Sequence, residues 1–367
     1  MKMSSWSKLG INTSKLGFGA MRLPKDKDGN IIQEEVNEMV KYAMEHGINY
    51  YDTAYVYGNG ASELALGKAL KQFDRKDFFL ADKMPLFNPK GEDYLEKTFN
   101  TSLTRLGTDY VDMYLMHSLR KNSVKNMVNL DAINWAVEKK KQGKIKYIGF
   151  SIHDDYDTLL EILDLYDWDF VQIQYNYMDI DDAPGEKGYE ELKKRNIPIM
   201  IMEPLKGGIL ADIPEKLNEP FRSLGGSNVS YGFRWLAEKD GIATILSGMS
   251  NMQQLKDNIE VFENLTPLKD EEYRAIEEVK QNIKNAQKIQ CTGCEYCVPC
   301  PHGVKIPQLF KAWNVSAMRS GDNWINHGDI DYENAELCIG CGLCATKCPQ
   351  HFDIPAKIKE LLSEKDR

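Results

Sequence analysis

The first 290 residues of this 367-residue chain contain no cysteine; all eight thiols lie between Cys291 and Cys348. A disulfide framework does not need such clustering, and in reducing surroundings clustered thiols read as metal ligands or redox centres. A second absence is a basic block. The net charge is -9 and the pI about 5.4, which argues against nucleic acid or an anionic membrane surface as a partner. A third is a long apolar run: no stretch approaches the roughly 20 residues of a membrane helix. The opening "MKMSSWSKLGINTSKLGFG" also lacks the apolar core of a signal peptide. The expectation is a cytoplasmic protein, with a cysteine-free domain followed by a cysteine-rich one.

What is present in the first 265 residues is alternation. Eight short apolar runs, "LGFGAM", "INYYDT", "FFLADK", "DYVDMYLMH", "IKYIGFS", "FVQIQYN", "IPIMIME" and "IATILSG", read as strands buried on both faces. Amphipathic stretches separate them. "EEVNEMVKYAMEHG" puts Val36, Met39, Val40 and Ala43 on one helical face and stops at Gly47. "SELALGKALKQF", "DYLEKTFNTSLTRLG" and "LDAINWAVEKKKQG" behave similarly. The strand–helix unit repeated eight times predicts an α/β fold, a (β/α)8 barrel. The rival, an open doubly wound sheet, favours a G-x-G-x-x-G turn after its first strand, and none is there.

Barrel chemistry sits at the C-terminal ends of the strands. Those ends supply Asp52, Tyr57 in "DTAYVYG", Lys83 and His117. Each alone is more often a solvated loop residue or a satisfied hydrogen-bonding partner. All four at one mouth suit proton transfer to a carbonyl oxygen while hydride reaches its carbon. An ammonium beside the phenol favours the phenolate and lowers the phenol's pKa, the carboxylate keeps the amine charged, and the imidazole donates to the substrate oxygen.

With "LGFGAMRLP" (16–24), "NYYDTAYVYGNGASELALGKAL" (49–70), "DKMP" (82–85), "DYVDMYLMHS" (109–118), "KIKYIGFS" (144–151), "VQIQYN" (171–176), "MEPLKGG" (202–208) and "SGMSNMQQLKDNI" (247–259), the chain resembles the aldo/keto reductases. The resemblance implies an oxidoreductase using NADP or NAD on a small-molecule carbonyl, with Tyr57 as general acid tuned by Lys83 and Asp52 and with His117 orienting the carbonyl. It implies that Gly19 and Met21 lie near the nicotinamide and that Ser151 and Gln172 hold its carboxamide. Pro204, Leu205 and Gly207 of the "PLKGG" loop, with Ser247 to Asn258, would hold the phosphates and adenosine. The chain departs from the pattern at several points. Ile152 and His153 follow Ser151 where an asparagine is usual, and Met202 stands where an aromatic stacks on the nicotinamide. Gly248 and Gln254 occupy the positions of the lysine and arginine that select the 2′-phosphate. The missing cations leave NAD open, since phosphates are natural partners of cations; Lys206 and Lys256 read as solvated surface residues. His46, His153, His302, His327 and His351 show no metal-ligand spacing and read as surface or capping residues.

The last hundred residues begin with a polar helix and linker (266–290), followed by a domain spanning 291–367. Cys338, Cys341, Cys344 and Cys348 form C-x2-C-x2-C-x3-C-P, the bacterial iron–sulfur run, with Pro349 turning the chain away. Cys291, Cys294, Cys297 and Cys300 form a second run, shorter by one residue before its last thiol. Zinc is the alternative, but it needs four ligands and eight are present. Two [4Fe–4S] clusters use all eight. The two-cluster ferredoxin pattern assigns Cys291, Cys294, Cys297 and Cys348 to one and Cys338, Cys341, Cys344 and Cys300 to the other, in a small ferredoxin-like α+β domain. Ile306-Pro307 and Ile354-Pro355 follow the two runs as a pseudo-repeat, and the insert between them reads as helix and then loop. Reductase barrels with such a tail form a subgroup of the family. The clusters would be structural or would exchange electrons with a ferredoxin- or flavodoxin-type partner. Hydride carries two electrons and a cubane passes one, so direct coupling needs a splitter such as a flavin, for which no fingerprint is found. The alternative function is an electron-transfer protein whose barrel serves as a docking or flavin- or nicotinamide-binding module.

Overall fold

A computed structural model describes residues 1–91, 93–181, 184–291, 297–320, 330–348 and 351–365. Cys294, His327 and Pro349 lie outside the described residues. The strands are β1 Met3–Trp6, β2 Ile11–Ser14, β3 Leu16–Gly19, β4 Tyr50–Asp52, β5 Phe79–Pro85, β6 Val111–Leu119, β7 Ile145–Ile152, β8 Phe170–Gln174, β9 Ile199–Met202 and β10 Ile242–Gly248. The helices are α1 Gln33–Glu45, α2 Ala61–Leu70, α3 Tyr94–Leu106, α4 Lys121–Asn129, α5 Ala132–Lys141, α6 Tyr156–Leu163, α7 Gly185–Lys194, α8 Glu219–Leu224, α9 Asn228–Ala237, α10 Met252–Glu263, α11 Asp270–Ala286, α12 Ile306–Ser320, α13 Tyr332–Glu336 and α14 Ile354–Ser363.

Strands β3 to β10 close a parallel eight-stranded barrel, in sequence order, with β10 beside β3. All eight coincide with the apolar runs. Such runs belong inside because helices cover the outer face while side chains fill the centre. Tyr50, Ala81, Met113, Leu115, Phe170 and Met200 form the central cluster. The helices lay their apolar faces on the outside; α1 buries Val36, Met39, Val40 and Ala43, and Gly47 ends the turn at φ +81°.

The N-terminal end of the barrel is plugged by the β1–β2 hairpin. Trp6 is buried between Tyr50 and Phe170, with ring centroids 6.3 and 6.0 Å away. Its indole N–H donates to Thr13 Oγ1 at 2.8 Å, and Thr13 meets the Thr244 hydroxyl at 2.8 Å. The C-terminal ends of the strands form the opposite mouth.

The chain divides into two compact units, Met1–Leu210 with Val229–Leu268, and Ala211–Asn228 with Lys269–Arg367. In the second, α8 packs against α11, and Asn282 Nδ2 donates to Leu217 O at 3.2 Å. The α11 segment reads as polar in sequence, yet it buries Ala275, Ile276, Val279 and Ile283 on one face. The ferredoxin-like region that follows has a small core of Ile289, Val304, Ile306, Leu309, Phe310, Trp313, Ile354, Ile358 and Leu361. Among its described residues the regular elements are helices. Ile-Pro opens both α12 and α14, where proline's missing N–H costs nothing in the first turn. Trp313 Nε1 donates to Glu364 Oε2 at 2.6 Å, and Lys288 pairs with the same carboxylate at 3.0 Å. Among the described residues no helix is long and apolar enough to cross a membrane.

Candidate active site and candidate metal centre

Each barrel strand brings one of the expected residues to the C-terminal mouth: Gly19, Asp52, Lys83, His117, Ser151, Gln172, Met202 and Ser247, from β3 to β10 in order. Tyr57 follows β4 on a tight turn in which Gly58, Asn59 and Gly60 all have positive φ, at 56°, 54° and 91°. That backbone suits the sequence Gly-Asn-Gly, because glycine and asparagine enter this region at least cost. The turn is tied down by Ser62, whose hydroxyl meets Thr53 Oγ1 at 2.8 Å and donates to Ala20 O at 2.7 Å.

Lys83 is fully buried and central. Its Nζ lies 2.5 Å from Asp52 Oδ1, 2.6 Å from Thr53 O and 3.5 Å from the Tyr57 hydroxyl. The His117 ring stands edge-on to Tyr57, with centroids 5.8 Å apart. Burial alone would lower the Lys83 pKa, but the charges of Asp52 and Tyr57 outweigh it and the net direction is upward. The lysine is therefore held as an ammonium. Burial also dominates at Tyr57 and raises its pKa, with Lys83 opposing. This differs from the sequence expectation of a net lowering: the desolvation of the phenol exceeds the pull of the cation. Burial, then Lys83 and His153, push His117 well below the usual histidine range, so its ring is neutral. Its Nδ1 is buried with no hydrogen-bond partner among the described residues, and so is Gln172 Oε1.

The remaining mouth residues fall into two groups. Ser151 Oγ accepts from the Ser118 N–H at 2.8 Å, and Gln172 Nε2 lies 3.4 Å from Met202 Sδ. Met21 is exposed beside β3, and Pro204 is buried at the start of the β9 loop, with Leu205 packed on the core. Asn258 Nδ2 donates to Ser247 Oγ at 3.0 Å, and Gln254 Oε1 accepts from Ser250 N at 2.8 Å. Two readings need correction. Lys206 is no solvated lysine: it pairs with the buried Asp179, which also accepts from Gln174 and Asn176. Lys256 is exposed, as a surface lysine, with its ammonium over the Tyr42 ring at 5.5 Å. His153 is half-buried rather than exposed; burial and then Arg120 bring its pKa down to about 4. His46, by contrast, caps the end of α1, stacked on Tyr42.

One residue escaped the sequence reading. Arg22 ends the short turn after β3, and its methylenes lie on Gly248. No local signal marks it, because the residues that it meets are about two hundred positions away in sequence.

Seven cysteines are described. Cys291, Cys297, Cys300, Cys338, Cys344 and Cys348 pack against the same small core, so the two runs converge on it. Cys300 lines one pocket with Cys338, Cys341 and Cys344. Gly340 and Gly342 have φ of +74° and +77°, and a side chain at either would meet nothing within 4 Å. This open, thiol-lined loop fits a cubane, whose thiolates bind separate irons. Among the described residues, no three Cys, His, Asp or Glu side chains close around a single ion.

Comparison with known proteins gives a family match for each part of the chain. The family model described as "Aldo/keto reductase family" matches residues 15–281, and that of a "4Fe-4S dicluster domain" matches 290–353. The uncharacterized oxidoreductase YqkF of Bacillus subtilis is 26% identical over 76% of this chain and 96% of its own length. A probable aldo-keto reductase 1 of Glycine max is 36% identical, over 39% of this chain and 42% of that protein. The holo form of the aldo-keto reductase AKR11C1 from Bacillus halodurans superposes with a TM-score of 0.65 at 25% identity, covering 76% of this chain and 96% of that one. The chain is a member of the aldo/keto reductase family, with an iron–sulfur domain of the 4Fe–4S dicluster type behind its barrel.

Proposed function

We propose that the barrel reduces an aldehyde or ketone, or runs the reverse reaction, with Tyr57 as general acid. The observation that carries this reading is the buried Lys83 ammonium, set between Asp52 and the Tyr57 hydroxyl at the barrel mouth. A bound nicotinamide dinucleotide, NADP or NAD, supplies hydride to the carbonyl carbon. Tyr57, kept protonated by burial, gives its proton to the carbonyl oxygen. The phenolate that forms lies within reach of Lys83, a charge already in place in a dry site. Asp52 keeps that lysine charged. The neutral His117 ring orients the carbonyl oxygen from the other side of the phenol. The free acceptor Gln172 Oε1 suits a carboxamide N–H₂, and the Ser151 hydroxyl can donate to the amide oxygen. Gly19, Met21 and Met202 would flank the ring; Pro204, Leu205, Gly207, Ser247, Gly248, Gln254 and Asn258 would line the rest of the dinucleotide.

In this reading residues 1–265 form the reductase, 266–290 the linker and 291–367 the cluster domain. Two [4Fe–4S] clusters take the crossed sets, Cys291, Cys294, Cys297 with Cys348, and Cys338, Cys341, Cys344 with Cys300. The shared pocket of the second set supports that crossing. Its loop is exposed at Ile339 and Leu343, which supports electron exchange with a ferredoxin- or flavodoxin-type partner. Cysteines clustered as cluster ligands suit a reducing compartment such as the cytoplasm.

The test is Tyr57→Phe. Carbonyl turnover should fall about 10²- to 10⁴-fold, the usual share of a general acid, with dinucleotide affinity unchanged. Unchanged turnover would remove Tyr57 from this role.

A further inference from the structure

The sequence lacks cations at Gly248 and Gln254, where resemblance to the family would put the pair that selects the 2′-phosphate. The fold brings one there from elsewhere. A methyl group at Gly248 would stand 3.2 Å from Arg22 Cδ and 3.3 Å from its Cβ and Cγ, so the arginine stem lies flat on that glycine. The other end reaches the β9 loop: a methyl group at Gly207 would stand 3.3 Å from Arg22 Nη2. The guanidinium thus spans from the end of β10 to Gly207 and Gly208, where a side chain at Gly208 would meet nothing within 4 Å. Among the described residues the guanidinium has neither a hydrogen bond nor an ion pair. Lys206, the other cation of this loop, is already taken by Asp179. Glu203 Oε2 faces the same point as Arg22, also 3.3 Å from a methyl group at Gly207.

We propose that Arg22 is the phosphate-binding cation of this barrel, clamping the pyrophosphate of the dinucleotide over Gly207. The proposal rests on the nicotinamide reading above. An arginine fork matches phosphate oxygens two at a time, and bare glycine backbone lets a phosphate approach closely. The guanidinium end reaches Gly207 of the β9 loop, so the group assigned to it is the pyrophosphate common to NAD and NADP rather than the 2′-phosphate. Glycine at 248 is then the space that Arg22 needs: a longer side chain there would displace the stem. Glu203 limits how many negative charges the spot tolerates.

The experiment is calorimetric titration of the cluster-loaded protein and its Arg22→Gln variant with NADH, NADPH and ADP-ribose, which has the pyrophosphate but no nicotinamide. The expected result is a loss of about tenfold or more for all three ligands, the scale of a charged hydrogen bond, with Arg22→Lys in between. Loss for NADPH alone would place the 2′-phosphate at Arg22 and overturn the pyrophosphate assignment. No loss would overturn the proposal outright. If Arg22 only positions Glu203, Arg22→Gln will have no effect in a Glu203→Gln background; a full effect there supports the phosphate role. A wild-type protein that binds none of the three would overturn the nicotinamide reading itself, an outcome distinct from equal binding by both proteins.

Discussion

Lys83 shows what one buried charge demands of its neighbours. An ammonium with no solvent access is stable only if donors are matched, and Asp52, Thr53 O and Tyr57 match them. The spacing Asp-x4-Tyr, with Lys and His at later strand ends, made this group legible in the sequence. The direction of the Tyr57 pKa was not legible, because it depends on desolvation that only the packed barrel supplies. Arg22 was hidden for a similar reason, since its partners come from β9 and β10. Beside Lys83, Asp82 points the other way. It is buried next to Glu63 of α2 and Ser102 of α3, and Glu63 is itself paired with Arg105 at 2.6 Å. Burial and then the Glu63 charge raise Asp82 to about 8. The folded state therefore holds a proton that the unfolded chain releases near pH 4. That stability is complete below pH 4 and is lost as pH rises toward 8, by up to about 1.4 kcal/mol per pH unit. Asp82→Asn should flatten this part of the urea-midpoint profile and raise the midpoint at pH 7. An unchanged slope would show that Asp82 is ionised in the folded protein.

At the scale of elements, the eight barrel strands were readable because strands buried on both faces need unbroken apolar runs. The β1–β2 hairpin was not. "MSSW" and "INTS" are short and polar, and only Trp6 signals that they have a buried side. The α4 helix escaped because it is short and mostly polar; it buries only Ser123 and Met127 fully, with Val124 packed at the edge of the core. The hairpin seals the end of the barrel opposite the chemistry. Trp6→Ala should therefore cost about 3–5 kcal/mol of barrel stability, the usual range for a buried tryptophan, while kcat below the melting transition stays as in the wild type. A large loss of kcat at full folding would mean that the bottom of the barrel controls the mouth. The iron–sulfur run was the most legible element of all, since ligand spacing is a local property. The proposed sharing of a cluster with Cys300 was less so, because the first run is one residue short.

For the molecule as a whole, the proposed function puts a two-electron site and one-electron centres in one chain. The barrel has what direct carbonyl reduction requires: a protonated phenol, a fixed ammonium and a neutral imidazole at one mouth. The central claim is that hydride goes from the nicotinamide to a carbonyl carbon at that mouth, without passing through the clusters. It is tested most directly with NADH or NADPH deuterated at the transferring C4 position, an aldehyde panel and anaerobic protein with its clusters loaded. Mass spectrometry of the alcohol should find deuterium on the former carbonyl carbon in wild type and almost none in Tyr57→Phe. Dinucleotide oxidation that bleaches the clusters and leaves no deuterium in any alcohol would contradict the account.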